Sequence, residues 1–313
     1  MRKIFFRCII CSLFFFATFS FFSCTSIRTV NYEIEKEKIE NEFRILQISD
    51  FHSNDFGKEQ EKLITKVKES NPNIIVITGD LFDHRMKEKK YFPNVEALLI
   101  GLKDLCPIFF VTGNHDFINL ELEEKYSLLE KYGVKILHDE VVLLSREDGS
   151  IVIAGIHDPY FDLGQEIKRL MKDKKEKYRA RLAELSKKTE EKILEIGKEN
   201  IVFTLLLAHR PEYVKDYDQY SFDIILSGHA HGGQWRFPPL INGLYAPGQG
   251  MFPKYAGGKY TLKNEHGTIM IVSRGLSYQQ PKLARIGNPP ELVLIKVIKE
   301  TEKSQGKRKV LKK

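Results

Sequence analysis

The stretch NIIVITGDLFD, residues 73–83, opens as an apolar, β-branched run and closes on two carboxylates, Asp80 and Asp83. A short run of this kind, bounded by glycine, has the composition of a strand buried on both faces. The same pattern recurs along the chain. FRILQIS (43–49) leads to Asp50-Phe51-His52, and PIFFVT (107–112) leads to Gly113-Asn114-His115-Asp116. FTLLLA (203–208) leads to His209-Arg210-Pro211, and DIILS (223–227) leads to Gly228-His229-Ala230-His231. Each strand thus ends on residues that bind metals or move protons. In open α/β sheets the carboxyl ends of the strands are where ligand sites form.

Between the early runs lie helix-like stretches, KEQEKLITKVKES (58–70) and NLELEEKYSLLEKYG (119–133), which is the alternation of an α/β fold. The runs VVLLS, SIVIAGI, TIMIVS and ELVLIKVI follow without long helices between most of them, so a second sheet and a sandwich are expected. Residues 164–200 are highly charged, with Leu, Ile and Tyr at helical spacing, and predict one long or two shorter surface helices on that sheet. Residues 25–42 read as a polar tether, residues 43–299 as one catalytic domain, and residues 300–313 as a basic tail.

The ends and the composition narrow the setting. Arg2, Lys3 and Arg7 precede an apolar run from Cys8 to Phe22, too short for a confident membrane span and right for a signal-peptide core or an N-terminal anchor over residues 1–24. Ser23-Cys24 closes it like the lipidation site of a bacterial lipoprotein. The reading is export with membrane attachment, extracytoplasmic. A mean hydropathy of −0.30 excludes a polytopic membrane protein. The net charge of +7 permits anionic partners without requiring a specific nucleic acid. Of four cysteines only Cys106 lies in the domain, so no disulfide framework or thiolate metal site is available there. The sequence leaves the oligomeric state open.

The strand ends would bring Asp50, His52, Asp80, Asn114, His209, His229 and His231 to one rim. Imidazole and carboxylate without thiolate suit Mn, Fe or Zn. Seven candidates exceed the need of one ion, so two divalent ions sharing a carboxylate are expected. On an extended backbone the i, i+2 spacing in DFH and HAH puts both side chains of each pair on one side. Nearby glycines leave room for close backbone approach. Two such ions would clamp the oxygens of an in-line displacement, with a bridging hydroxide as nucleophile at neutral pH. No Ser or Cys nucleophile motif competes.

The ordered set DFH, GDLFD, GNHD, HRP and GHAH resembles the calcineurin-like metallophosphoesterase superfamily. HGGQWRFP and VSRGLS are similar to its bacterial membrane-associated branch, which includes phosphodiesterases and UDP-2,3-diacylglucosamine pyrophosphatases. The resemblance implies a two-sheet αββα sandwich. It implies that Asp50, His52 and His231 hold a first ion, that Asp80 bridges, and that Asn114, His209 and His229 hold a second. It makes His115 the group that stabilises or protonates the departing oxygen and Asp83 the carboxylate that orients it by a hydrogen bond. Phe51, where Leu is commoner, and the insert at 164–200 depart from the pattern; the insert bears on substrate, not on chemistry. Arg274 and His157 are weaker candidates for substrate contact. His84 stands where protein phosphatases of the superfamily carry arginine, which favours a phosphodiester or pyrophosphate bond over a monoester. The expected substrate is an envelope lipid or nucleotide-lipid. The alternatives are an exported nucleotide or nucleic-acid phosphodiesterase and a non-catalytic surface-binding lipoprotein on the same fold.

Overall fold

The computed structural model describes residues 26–83, 92–117, 122–160, 171–278 and 284–301, with side chains from residue 174 onward in the fourth stretch. The expectations for residues 1–24, for His84, for the start of the charged insert and for most of the basic tail lie outside these residues.

Two six-stranded sheets pack face to face. The first contains β1 (Arg28–Lys36), β2 (Phe43–Ile48), β3 (Ile74–Thr78), β4 (Ile108–Val111), β5 (Val134–Ile136) and β14 (Glu291–Lys299), in the order β1-β14-β2-β3-β4-β5. Strands β2 to β5 are parallel, and β14 runs antiparallel to β2. Helices α1 (Glu61–Ser70), α2 (Phe92–Leu102) and α3 (Leu122–Lys131) make the crossovers. The second sheet contains β6 (Glu140–Arg146), β7 (Gly149–Ile156), β8 (Ile201–Ala208), β9 (Ile224–Ser227), β12 (Gly258–Thr261) and β13 (Ile269–Val272), in the order β12-β13-β9-β8-β7-β6. Here β7, β8, β9 and β13 are parallel. A small hairpin, β10 (Tyr245–Ala246) and β11 (Gly250–Met251), lies between β9 and β12.

Alternation along the strands sorts the core into three layers. Ile45, Val76, Phe109, Phe203, Leu205, Leu226 and Ile295 meet between the sheets. Their neighbours Leu46, Ile75 and Phe110 turn the other way, toward Leu63 and Val67 of α1 and Leu98 and Leu102 of α2. On the outer face of the second sheet, Ala154, Leu206 and Ile225 receive Tyr178, Leu182 and Leu185 of α4 (Met171–Ile196). Each such side chain is worth about 1.5–3 kcal/mol when fully withdrawn from water. The result is the expected αββα sandwich. The charged insert supplies a single long helix, and among the described residues no helix is long and apolar enough to cross a membrane.

The tether reading of residues 25–42 is corrected. Arg28–Lys36 is a full strand, paired in parallel with β14 from Arg28↔Glu291 to Lys36↔Lys299. It is an edge strand, so one face stays polar, with Asn31 and Glu33 exposed. The other face sends Tyr32 and Ile34 into the inter-sheet core. Only 1% of Ile34 is exposed. Ile34→Ala should therefore lower the unfolding free energy by about 2–5 kcal/mol, read as a lower urea midpoint at constant m-value; a tether residue would show no change.

Candidate metal centre

Because the parallel strands of both sheets point the same way, their carboxyl ends share one edge of the sandwich. The first sheet delivers Asp50, His52, Asp80 and Asn114; the second delivers His209, His229 and His231. Two bonds stitch the sheets together beneath the site. Gln47 donates to the Ser227 carbonyl at 2.9 Å, and His209 Nδ1 lies 2.7 Å from the Thr78 carbonyl. A carbonyl can only accept, so Nδ1 of His209 carries the proton and Nε2 is the atom turned inward.

The side chains fall into groups whose potential ligand atoms lie within 4.8 Å of one another: Asp50, His52, Asp80 and His231; then Asp80, His209 and His229; then His52, Asp83 and His115. Asp80 belongs to the first two. Its Oδ1 accepts the His115 backbone N–H at 2.7 Å. Its Oδ2 lies 3.5 Å from His52 Nε2 and 3.3 Å from His209 Nε2, between the two groups. The third group adjoins the first through His52, whose ring meets that of His115 edge-on at 4.4 Å. Asn114 and His115 are half-exposed while the carboxylates are buried, so solvent reaches the centre from the His115 side.

Whether this cluster fits cations is answered by its polar atoms. Asp80 Oδ2, Asn114 Oδ1, His209 Nε2, His229 Nδ1 and His231 Nδ1 are buried and make no hydrogen bond. Leaving such a group unsatisfied costs about 1–3 kcal/mol, and unsatisfied oxygen and nitrogen atoms on five candidate ligands suit the donor set of two divalent ions. The residues' titration agrees. Burial, then the Arg210 charge at His229 and the Arg285 charge at His231, hold both imidazoles well below their usual range, so their lone pairs stay free. Burial works against ionised Asp80, but the His209 and His115 charges outweigh it and keep the group a carboxylate. Burial raises Asp50 to about 6 despite His209. Burial also opposes a proton on His209, yet the Asp80 and Asp50 charges lift it to about 10, a position a divalent cation would occupy instead.

The backbone carries one correction. Asp50, His52, Asp80, His229 and His231 have φ of 49°, 47°, 52°, 64° and 47°. The DFH and HAH segments therefore each carry two residues in the left-handed region and are not extended chain. The consequence is visible in HAH, where His229 joins the second group and His231 the first. Non-glycine residues in this region cost of order 1 kcal/mol or more each and persist where the surroundings over-determine them. The glycines serve proximity: a Cβ on Gly228 would lie 1.9 Å from Ser49 Oγ and 2.5 Å from Asp50 Oδ2.

The two weaker candidates are not brought to the centre. His157 is 0% exposed. Its Nδ1 lies 2.7 Å from Thr112 Oγ1, its Nε2 lies 3.4 Å from the Tyr126 hydroxyl, and its ring sits 3.9 Å from that of His138. Burial, with the His138 and Arg181 charges, pushes it down to about 2, so it is a neutral core histidine and not a substrate contact. Arg274 turns its guanidinium onto buried Glu291, with Nε at 2.5 Å, and is that group's counter-ion. Sequence reasoning assigned nothing to Asp116, although GNHD contains it. Its carboxylate accepts the backbone N–H groups of Asp80, Phe82 and Gly113 and so fixes both turns. Arg210 of HRP was also left without a role. It is anchored by Asp158 at 2.6 Å and lies 3.1 Å from His229 Nε2.

Comparison with known proteins agrees with this geometry. Residues 43–233 match the family described as calcineurin-like phosphoesterase. An uncharacterized metallophosphoesterase of Aquifex aeolicus is 29% identical over 277 residues, covering 87% of this chain and 92% of its own. A zebrafish protein named transmembrane protein with metallophosphoesterase domain is 28% identical, covering 80% of this chain and 53% of its own. The solved NAD nucleotidase of Haemophilus influenzae is 16% identical, covers 75% of this chain and 45% of its own, and superposes with a TM-score of 0.47.

Metal saturation to about 100-fold above Kd should add about 2.7 kcal/mol per ion, a rise in Tm of about 4 °C for each that a chelator reverses. Gly228→Ala, by displacing Asp50, should shrink that metal-dependent rise while the chelated protein still melts cooperatively.

Proposed function

The chain belongs to the calcineurin-like phosphoesterase family and is a metal-dependent phosphoesterase, and from that premise we propose that it hydrolyses a phosphodiester or pyrophosphate bond of an envelope lipid or nucleotide-lipid. The observation that carries the chemistry is Asp80, whose buried Oδ2 makes no hydrogen bond and lies between His52 and His209, so that this carboxylate would serve both cations. In this reading Asp50, His52 and His231 hold one ion, Asn114, His209 and His229 hold the other, and Asp80 bridges. Two divalent ions, Mn, Fe or Zn, supply Lewis acidity toward the phosphoryl oxygens and a water nucleophile at neutral pH.

The chain's own residues do the rest. The His115 ring, half-exposed at the open side of the centre, presents its N–H to the departing oxygen. Asp83, within 4.8 Å of it, holds the imidazole in place. Support for a diester or anhydride comes from His84 in place of the arginine of protein phosphatases. Support for a lipid substrate comes from the basic and apolar N-terminal segment, which would attach the protein to a membrane on its extracytoplasmic side, and from the membrane-associated relatives that HGGQWRFP and VSRGLS resemble.

The detergent-solubilised full chain should hydrolyse bis(p-nitrophenyl) phosphate in the presence of Mn²⁺, faster than the monoester and not at all with chelator. His115→Ala should keep both metals and lose about 10²–10⁴-fold in turnover; parental activity in that variant would sink the proton-donor role. Asp80→Asn should lose metal and activity together. A nucleotide-linked diacyl lipid should be turned over faster than an oligonucleotide, and the reverse order would replace the lipid reading with nucleic-acid phosphodiester hydrolysis.

A further inference from the structure

Six large apolar side chains stand exposed among the described residues, and four of them, Leu240, Tyr245, Met251 and Phe252, lie within one thirteen-residue loop. Leu240 is 87% exposed and Phe252 is 66% exposed. The loop is firmly held. Tyr245 pairs with Met251 across the β10–β11 hairpin, Phe252 N donates to the Leu244 carbonyl at 2.8 Å, and Gln249 exchanges two bonds with Tyr255. Phe252 also has φ of 53°, an uncommon conformation for a bulky residue, yet its ring gains no burial within the chain. A rigid loop that presents apolar tips to water marks a contact surface.

Its position indicates what it contacts. Leu244 N donates to the carbonyl of Gly233, in the turn that begins at His231, so the loop borders the metal centre. The N-terminal end of β1 reaches the same corner. Arg28 N donates to the Pro290 carbonyl at 2.9 Å, and Arg28 pairs with Glu291, whose own N–H binds Gly275. A Cβ on Gly275 would lie 2.6 Å from Cβ of Asp50. Lys259, at the start of β12, donates to the Glu33 carbonyl at 2.7 Å, which closes the corner between the two edge strands. The described chain therefore begins at the edge where both the metal centre and the apolar loop lie, and the sequence preceding it is the uncharged apolar run from Cys8 to Phe22. Exposed Arg28 and Lys254 place positive charge at this edge, as an anionic head-group layer requires.

We propose that residues 240–252 are a bilayer-docking surface: the apolar tips seat in the membrane that carries the N-terminal segment, and the metal centre opens onto the head-group layer. This rests on the membrane attachment proposed above and adds an orientation to it. The opposite edge is the control. Leu194, 79% exposed near the end of α4, stands two short turns before Ile201, the first residue of β8, where Lys38 caps the Lys198 carbonyl at 2.7 Å.

The test places single tryptophans in the full chain, in a Trp235→Phe background, bound to phosphatidylglycerol–phosphatidylethanolamine vesicles with brominated acyl chains. A Phe252→Trp reporter should lose emission relative to unbrominated vesicles, and a Leu194→Trp reporter should not; Met251→Trp repeats the measurement should Phe252→Trp fail to fold. Co-sedimentation with equal emission from loop and control reporters overturns the docking surface and leaves the attachment standing. A chain that stays in the supernatant overturns the attachment and the docking with it. A dimer in detergent that Phe252→Glu dissociates, with no quenching on vesicles, assigns the surface to a second copy instead.

Discussion

A fully buried carboxylate shared by two imidazole groups is the constraint on which the rest of the molecule depends. Asp80 is 0% exposed, and its second oxygen makes no hydrogen bond, with His209 Nε2 at 3.3 Å and His52 Nε2 at 3.5 Å. The local structure exists to hold it there. The His115 backbone binds its first oxygen, and Asp116 grips the backbone on either side of it. Lys125 in turn binds the Asp116 carbonyl at 2.8 Å. Burial and the Asp80 charge raise Asp116 to about 7, the cost of setting two carboxyl groups side by side away from water. The arrangement makes sense only with positive charge added, which is what divalent ions bring.

The same logic explains the backbone. Five candidate ligands sit in left-handed turns, and each is an unfavourable local choice. Such turns persist because the strands before them are locked into the inter-sheet core. Ile45, Val76, Leu205, Leu207 and Leu226 are fully buried within a few residues of the strand ends. Strain at the edge is thus offset by packing beneath it, the usual relation between a rigid scaffold and a reactive rim.

Strand direction then decides what the rim can do. Because the parallel strands of both sheets end at one edge, seven candidate ligands from two sheets are delivered to it. The antiparallel return of β14 brings the beginning of β1 back to that same edge.

Much of this was legible in the sequence. Runs such as NIIVIT and FTLLLA read as buried strands, since they are short, carry no charge and are bounded by turn residues. The residues after them declare metal chemistry by type and by order, because oxygen and nitrogen ligands without thiolate leave few other uses. What stayed hidden depends on contacts distant in the chain. β1 is polar on one face because it lies at a sheet edge, and its local composition resembles a tether. His157 also follows a strand end, but Thr112, Tyr126 and His138 turn it into the core, and no local pattern distinguishes an imidazole facing the rim from one facing inward. The handedness at the DFH and HAH strand ends follows from crowding between those ends. Asp50 receives the His229 backbone N–H at 3.1 Å across 179 residues. By itself the sequence determined the kinds of ligand and the strands that carry them, because composition and hydrophobic runs are local properties. Only the tertiary structure decided how the backbone turns at each strand end and which face of the protein the candidate ligands open onto, because both follow from how two sheets and the chain's first strand meet in space.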